Sequence, residues 1–598
     1  MKKIPAIAFL LIISSILTAQ VIPSSRKVDW TGAGYEGTIP NPSNIVNVKS
    51  YGATANGTTD DYSAIDSAIA SLGGNSGVIY FPTGNYLIKS SLTIPANAIF
   101  RGSSSDSTFL KFDFTDSGTN CINISSAQSG TFTDIIDGFN KGSTQLTVIS
   151  AASFTMGCYA EIRQDNGSWD TDPASWAVHS VGQIVKINTI SGNILTIEKP
   201  LRLNFDTSLN LEIRKLEPIT DVGIECLSIE RVDSSLAGAS SNIMFAYAAN
   251  CWIKGVESHK SDGSHFNVST STNLEFTGNY IHHAFVYDGT GTRGYGITLS
   301  HHTGQCLIED NILKHLRHAM MVKTGSNGNV FAYNYSIEPF RSELPSNLGG
   351  DISLHGHYPF ANLFEGNIAQ NIVIDHYWGP SGPFNTFFRN RAELYGIVMT
   401  TNSVQSDTQN FVGNEITDNF GQYVLKGSGH FEYGNNNQGL ILPVGTSSLP
   451  DQSYYLTQAP DFWTTNDLWP SIGTPNTLGS KEIPAKKRYE LGYDLTVCPY
   501  IQYTTYVNEN IIDDAELKVN IFPNPFTNKI TVEFSSEKYK PENFKIIDLY
   551  GRVVKEILNN DSQNNIIVID FPEYFGKGFY FFQYQINGKI FIEKIIKF

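Results

Sequence analysis

The sequence of 598 residues is poor in charge and in basic segments. Only 16% of its residues are charged, and the net charge is −16. No run of lysine and arginine is long enough to offset that balance, and a negative surface repels nucleic-acid phosphates and anionic membranes. We therefore expect no nucleic-acid partner. Beyond the N-terminus, no hydrophobic stretch is long enough to span a bilayer, so we expect no stable membrane insertion.

Cysteine is scarce as well, and metal-binding motifs are missing. The six cysteines form no Cys-x-x-Cys or Cys/His spacing of the kind that holds zinc. Export would permit disulfides, but a chain of this size does not need them, so we expect mostly buried, unpaired thiols. We predict no metal site, and no cofactor is certain. There is no dedicated calcium loop, although Ca²⁺ is compatible with two aspartates discussed below.

Amphipathic helical patterns are nearly absent after the first hundred residues, and strand-forming residues dominate. Aromatic residues make up 12% of the chain, and glycine is abundant, with 51 residues. The sequence therefore predicts an all-β protein of several domains.

The N-terminus has the pattern of a signal peptide over residues 1–19. Lys2 and Lys3 form a basic start, residues 4–17 are apolar, and Leu17-Thr18-Ala19 is a plausible cleavage site. We therefore expect an exported protein.

Residues 46–112 have the clearest local pattern. A Gly-rich turn leads to Thr59-Asp60-Asp61, which caps a helix with Ile65, Ala68 and Ile69 on one face, and short strands follow. This pattern resembles the N-terminal segment of the pectate-lyase superfamily of right-handed parallel β-helices. The resemblance implies that residues 40–134 form the cap and first coils of a β-helix. It does not separate lyases from hydrolases or binding proteins.

Short strand-like runs, separated by turns, continue through residues 135–217 and predict a small β insertion. A repeat then begins at residue 222, marked by an asparagine that follows a short apolar segment. The asparagines are Asn279, Asn311, Asn334, Asn367, Asn390 and Asn414. A base period near 23–24 residues without helical character is typical of a β-solenoid, so we assign residues 218–499 to the parallel β-helix. Stacked asparagines can hydrogen-bond from coil to coil, which is a structural role.

Two steps of this repeat are longer than the others. The step from Asn279 to Asn311 and the step from Asn334 to Asn367 each hold about eight to ten extra residues. Insertions in a solenoid form loops on one face, often the binding face. We therefore expect a cleft beside these two loops.

The C-terminal segment is separate. Residues 500–517 read as a polar linker. Residues 518–598 contain Pro523-Asn524-Pro525, an Asp-x-x-Gly-Arg motif at Asp548, a Gly-x-Tyr-Phe motif at Gly578 and a basic end. These motifs resemble the type A C-terminal sorting domain of type IX secretion. The resemblance implies a β-sandwich, the type IX secretion machinery as a partner, and a secreted or cell-surface location beyond the outer membrane.

Histidine placement is the main chemical signal. Eleven of the 13 histidines lie between His259 and His376, within the stretch that holds both insertions. Strand alternation places His302, Lys323, His355 and Asp375 on successive rungs of one outward face, and rungs lie about 4.8 Å apart. Titratable groups at such short distances would perturb each other's pKa values, as they do in many active sites.

Such a face suits the cleavage of a uronic-acid polymer by β-elimination. That reaction needs a cation to neutralise the carboxylate, a base for the adjacent C–H, and an acid for the leaving oxygen. We predict His355 or Lys323 as the base, Arg317 as the neutralising cation, and His318 or Tyr358 as the acid. Ca²⁺ could replace Arg317, with Asp351 or Asp375 as its ligand. The predicted substrate contacts are His302, His357, Asp351, Asp375, Tyr295, Arg293 and Trp378.

Two other functions stay open. A glycoside hydrolase needs two carboxylates within about 10 Å, whereas Asp351 lies about 13 Å along the strand from the Asp375 rung. Asp262, Glu338 and Glu343 are further candidates. A non-catalytic glycan-binding adhesin is the second alternative, although a binding groove does not need so many groups that titrate near neutrality. The predicted partner in every case is a polysaccharide, which the basic residues indicate to be anionic.

Overall fold

The computed structural model divides the chain into two compact units, Met1–Tyr500 and Ile501–Phe598. The signal peptide predicted for residues 1–19 and the linker predicted for residues 500–517 lie outside the described residues. The structure describes residues 21–115, 118–127, 130–234, 240–463, 467–492, 494–498, 519–534, 542–548, 553–557, 562–563, 566–572, 575–586 and 589–597.

The described residues contain two α-helices, Tyr62–Ser71 and Pro484–Leu491, and short 3₁₀ turns at Ser24–Arg26, Val48–Tyr51 and Thr207–Leu209. The first helix buries Ile65 and Ala68 completely against the first coils, as its apolar spacing predicts. In the described parts of the chain, neither helix is long and apolar enough to cross a membrane.

The first unit is a parallel β-helix, so the predicted fold class is confirmed. Thirteen strands form its first sheet, in which successive coils pair in parallel. These strands are Ile45–Asn47, Gly77–Phe81, Ala98–Gly102, Ile219–Thr220, Gly223–Glu225, Ala248–Lys254, Thr272–Thr277, Leu307–Glu309, Val330–Ala332, Leu363–Glu365, Thr386–Phe388, Asn410–Val412 and Phe431–Tyr433.

The second sheet has 21 strands and forms the remaining faces of the solenoid. They are Asn56–Asp60, Gly84–Ile88, Leu92–Thr93, Thr108–Phe112, Ile122–Ser125, Ser228–Arg231, Ile243–Ala246, Glu257–His259, Ser264–Ser269, Tyr280–His282, Tyr295–Ser300, Ile312–Lys314, His318–Val322, Tyr335–Ile337, Gly350–His355, Ile368–Asp375, Arg391–Met399, Glu415–Ile416, Gln422–Val424, Asn435–Asn437 and Leu440–Leu442. The inward side chains of both sheets form one continuous apolar core.

The repeated asparagines form a buried ladder along the helix. Each side-chain amide donates to the amide oxygen of the asparagine one coil further on, from Asn279 to Asn311 at 2.8 Å and from Asn334 to Asn367 at 2.9 Å. The ladder extends one step beyond the predicted set, to Asn435. Because each amide also donates to a backbone carbonyl, the ladder satisfies polar groups that the turns would otherwise bury unpaired.

The insertion forms a closed antiparallel barrel of six strands. Its strands are Thr133–Asp137, Gln145–Val148, Tyr159–Gln164, Val181–Ser191, Ile194–Ile197 and Glu212–Leu216. The barrel contacts the solenoid through buried polar groups. His302 bonds Glu161 at 2.9 Å, and Arg202 donates to Asn327 at 2.7 Å.

The second unit has two four-stranded sheets around a shared apolar core, as expected for a β-sandwich. One sheet contains Val519–Phe522, Lys529–Phe534, Ser562–Gln563 and Ile566–Asp570, and the other contains Glu542–Asp548, Val553–Ile557, Gly578–Ile586 and Lys589–Lys597. Asn524 of the Pro-Asn-Pro turn bonds the last strand, with its side-chain oxygen 2.9 Å from the amide of Ile596. Residues 549–552 of the Asp-x-x-Gly-Arg motif lie outside the described residues.

Four cysteines, Cys121, Cys158, Cys251 and Cys306, are free thiols, in line with the expectation. Cys226 and Cys498 differ, since they form a disulfide. Their 272-residue separation in sequence hides the fact that the end of the first unit folds back beside this coil.

Candidate active site

A cleft of about 870 Å³ lies on the outer face of the solenoid. Its floor is formed by adjacent strands of the second sheet, from Tyr295–Ser300 to Arg391–Met399. The two long steps of the repeat supply its walls, with residues 289–292 from the first and Arg341, Glu343 and residues 348–350 from the second. The loops beside which we expected a cleft therefore line this one.

The central column of the cleft is set by strand register. Leu354 pairs with Val322, so His355 lies beside Lys323, and His355 itself pairs with Asp375. On the preceding rung Leu299 pairs with Val322, so the neighbour of Lys323 is Ser300 and not His302. The predicted column is therefore wrong at its first rung, because His301 and His302 both have positive φ and turn the chain away from the strand.

His355 and Asp375 form a loose pair in this column. The Nδ1 atom of His355 lies 3.9 Å from an Asp375 carboxylate oxygen and has no hydrogen-bond partner among the described residues. Burial lowers the pKa of His355, Asp375 opposes that shift, and Lys323 and Arg317 reinforce it. The imidazole is therefore neutral at pH 7 and able to accept a proton, and Asp375 can stabilise the resulting charge.

Lys323 is the second titratable group of the column. Its ammonium lies 5.1 Å from the centre of the Trp176 ring, and no carboxylate of the described residues comes within 4.0 Å of it. Burial lowers the pKa of Lys323 to about 8. The side chain is therefore mostly protonated at pH 7, with a pKa close enough to neutrality for proton transfer.

Arg317, Tyr295 and His318 form the next group along the cleft. Arg317 donates to the Tyr295 hydroxyl at 3.3 Å, and the His318 ring lies 4.8 Å from the Tyr295 ring and 5.3 Å from the His355 ring. Burial lowers the pKa of His318 well below its usual value, and the nearby His355 and Arg317 add to this effect. A histidine held neutral so firmly is a poor proton donor, which argues against His318 as the acid.

An aromatic group closes one end of the cleft. Trp378 packs edge-on against Trp176 at 5.5 Å, and Tyr377 beside it is 69% exposed. Such rings can stack on a sugar. Trp176 was not predicted, because it comes from the barrel, 83 residues before the histidine-rich segment begins at His259. The one available signal was the aromatic and polar sequence around it, DNGSWDTDPASW.

Of the twelve predicted site residues, seven line the cleft: Tyr295, Arg317, His318, Lys323, His355, Asp375 and Trp378. The other five lie elsewhere. His302 is buried at the barrel contact, where it bonds Glu161 and the His179 carbonyl. Asp351 is also buried, and it accepts from the Asn371 amide at 2.8 Å. Burial raises its pKa to about 7. It was predicted to face outward, but it is buried against the neighbouring strands, where it also accepts from the Ser336 hydroxyl.

The remaining three residues support the cleft from outside it. His357 is fully buried between Trp176 and Trp378, with ring centres 4.7 and 6.1 Å away. Tyr358 packs against Trp169, and Arg293 pairs with Asp288 at 2.9 Å within its own loop. Tyr358 has φ +66, so the turn directs it toward the barrel. The structure thus does not place Tyr358 where a catalytic acid is needed.

The carboxylates considered for hydrolysis are scattered. Glu343 and Asp375 line the cleft. Asp262 pairs with Arg231, and Glu338 pairs with Lys314. Asp351 pairs in register with the position of Asn371, four residues before Asp375, which separates the two aspartates by about 13 Å along the strand.

Three side chains that are cationic at pH 7 line the cleft, namely Arg317, Lys323 and Arg341, against the two carboxylates of Glu343 and Asp375. The local charge is therefore opposite to the net charge of the chain. The arrangement can attract a carboxylate, remove a proton and supply one.

Two family models match parts of the chain. Residues 45–193 match the model described as rhamnogalacturonase A/epimerase, pectate lyase-like, and residues 520–597 match the secretion system C-terminal sorting domain. Among curated proteins, the pre-neck appendage protein of Bacillus phage B103 is 37% identical over 67 residues, which is 11% of this chain and 7% of that protein. The chain spans only 5% to 7% of the curated relatives it matches.

Solved structures with a similar backbone fold have lower sequence identity to this chain. The tailspike protein gp49 of Pseudomonas phage LKA1 is 15% identical, with 62% of this chain and 64% of that chain covered and a TM-score of 0.41. An exopolygalacturonase from Thermotoga maritima is 10% identical, with coverages of 68% and 95% and a TM-score of 0.37. The first unit is thus a parallel β-helix that begins with a pectate lyase-like segment, and the second unit matches a secretion system C-terminal sorting domain.

Proposed function

We propose that this protein is an exported polysaccharide lyase that cleaves a uronic-acid-containing glycan by β-elimination. The observation that carries the proposal is the convergence of His355, Lys323 and Arg317 in one cleft whose local charge is positive. The sorting domain supports export to the cell surface or the medium by type IX secretion.

The roles follow from protonation states. Arg317 binds the uronate carboxylate, which acidifies the adjacent C5–H. Neutral His355 removes that proton, and Asp375 stabilises the imidazolium that forms. Electrons of the broken C–H bond form the C4–C5 double bond as the C4–O bond breaks, and Lys323 gives its proton to the leaving oxygen. Lys323 replaces His318 and Tyr358 as the proposed acid, because it is protonated at neutral pH and lies on the rung beside His355.

The aromatic group and Arg341 support substrate binding. Trp176, Tyr377 and Trp378 offer ring faces at one end of the cleft, and Arg341 adds a cation in the second loop. A polymer bound in the cleft would meet both aromatic rings and cations, which suits an acidic glycan better than a neutral one.

The test is a product assay on a panel of uronate and neutral glycans. We expect ultraviolet absorbance from an unsaturated uronate product, and no release of sugar from neutral glycans. His355→Gln should lower kcat by about 10²-fold or more, the usual range for loss of a general base. Tyr358→Phe is the matched control and should keep full activity, because this ring lies outside the cleft.

Two outcomes would overturn the lyase. New reducing ends without unsaturated product would indicate a glycoside hydrolase, for which Glu343 and Asp375 are the cleft carboxylates. Retained glycan binding with no product of either kind would indicate an adhesin.

A further inference from the structure

Three histidines meet outside the cleft, on a different column of the solenoid. His259 and His282 end two neighbouring strands and pair directly in register. His283 follows at a turn with φ +60. One ring nitrogen from each of the three lies within 4.8 Å of the other two.

The ring nitrogens are close enough together to share one metal ion, and without an ion the shortest contact among them is a hydrogen bond. The Nδ1 atoms of His282 and His283 are 2.9 Å apart. Two nitrogens on one tetrahedral Zn²⁺, at bond lengths of about 2.0–2.1 Å, lie about 3.3 Å apart.

Carboxylates hold two of the three rings from behind. Glu257 lies 3.0 Å from Nε2 of His282, and Glu230 lies 3.2 Å from Nδ1 of His259. A carboxylate that accepts one ring N–H leaves the other nitrogen as a lone-pair donor. This is how metal-ligating histidines are commonly oriented in proteins.

The turn that contains His283 is held in place by a buried histidine, His265. The buried His265 contacts the His283 carbonyl through Nε2 at 2.8 Å and Ser258 through Nδ1 at 2.8 Å. The His283 ring is stacked on His315 at 5.0 Å. Backbone and ring of His283 are therefore both positioned, so that binding an ion would cost little additional ordering.

We propose that His259, His282 and His283 bind a divalent transition-metal ion of the zinc type. Three imidazole nitrogens suit Zn²⁺, Co²⁺, Ni²⁺ or Cu²⁺, whereas Ca²⁺ and Mg²⁺ prefer oxygen ligands. The site is independent of the chemistry in the cleft. It also anchors a loop, because the loop of residues 284–294 directly follows His283 and contributes residues 289–292 to the cleft wall.

Cobalt binding to the full, untagged chain tests the site. After chelator treatment and dialysis, we expect one equivalent of Co²⁺ to give a visible absorption band that Zn²⁺ displaces. His282→Ala and His283→Ala should abolish the band. His315→Gln is the matched control, since it stacks on the cluster without supplying a ligand, and it should retain the band.

A conservative variant separates binding from folding. Glu257→Gln keeps the shape of the residue behind His282 and should weaken Zn²⁺ affinity about 10- to 100-fold, the usual effect of losing such a partner. Thermal unfolding of each variant without metal checks that the fold is intact. The proposal is overturned if the wild-type chain gives no Co²⁺ band, or if intact His282→Ala and His283→Ala variants bind as the wild type does.

Discussion

At the residue scale, two neighbouring rungs combine a histidine and a lysine whose pKa values are both lowered by burial. His355 is held neutral, while Lys323 keeps its proton with a pKa of about 8. A base and an acid with these states are both in their working form near neutral pH. The sequence could indicate the residue types, but the shifts depend on how deeply the loops cover each side chain.

The pH dependence of kcat/KM tests this pairing. In the wild type we expect a fall above pH about 8, as Lys323 loses its proton, and a fall at acid pH, as His355 gains one. Lys323→Met should lower kcat by about 10²-fold and remove the alkaline fall, while the acid fall remains. An alkaline fall that persists unchanged in Lys323→Met would contradict the role of Lys323 as the acid.

At the scale of elements, the asparagine ladder links the coils by buried amide groups. Asn334 accepts from both the backbone and the side chain of Asn311, and it donates to Ile308 and Asn367. Its removal leaves several buried polar atoms without partners. Each such atom costs about 1–3 kcal/mol.

We therefore expect Asn334→Ala to lower the free energy of unfolding by about 3 kcal/mol or more. Denaturant unfolding followed by far-ultraviolet circular dichroism measures the change. Asn140→Ala, at an exposed position of the barrel, is the control and should change it by less than about 0.5 kcal/mol. Equal losses in both variants would argue against the ladder as a source of stability.

A buried contact between Glu161 of the barrel and His302 of the solenoid joins these two parts. Burial alone would raise the pKa of Glu161, but the hydrogen bonds and charges of His302 and Arg214 outweigh it and lower the pKa to about 2. Because the folded state lowers the pKa of this carboxyl, its ionised form stabilises the fold at pH values above the ordinary pKa of 4.5. This stabilisation is lost as the pH falls from 4.5 toward 2.

Glu161→Gln should accordingly destabilise the protein by about 3 kcal/mol at pH 7 and make its stability less sensitive to acid. Thermal unfolding at several pH values measures both effects. Glu212→Gln, which breaks the partly exposed pair with Arg163 in the same barrel, should cost less than about 1 kcal/mol. If the two variants lose the same stability, Glu161 is not the link we describe.

At the scale of the whole molecule, the cleft proposed for catalysis and the match to the sorting domain lie in separate units. All residues that line the cleft lie in the unit Met1–Tyr500, and the sorting-domain match lies in the unit Ile501–Phe598. The net charge of −16 belongs to the whole chain, while the cleft reverses that sign locally.

Deletion of residues 519–598 in a host with type IX secretion should stop export across the outer membrane, and cell fractionation would find the protein in the periplasm. The purified, shortened protein should keep the kcat and KM of the full chain on the same glycan. Normal export of the shortened protein would show that these residues are not the export signal.

The sequence by itself determined the β-helix, its period and the sorting domain. These depend on local patterns, namely alternating apolar residues, recurring asparagines and turn motifs, and each pattern is read within a few tens of residues. The same repeat also relates two of the clustered histidines. His259 and His282 lie 23 residues apart, one base period, which is why they share a column.

Only the tertiary structure decided which side chains share the cleft. Positive φ at His302 and Tyr358 turns both toward the barrel, contacts with the neighbouring strands bury Asp351, and Trp176 comes from a distant insertion. A turn of one or two residues redirects a side chain without changing the repeat that contains it. The period therefore predicts the rungs, whereas the loops and the docked barrel determine which groups face the substrate and how their protons are held.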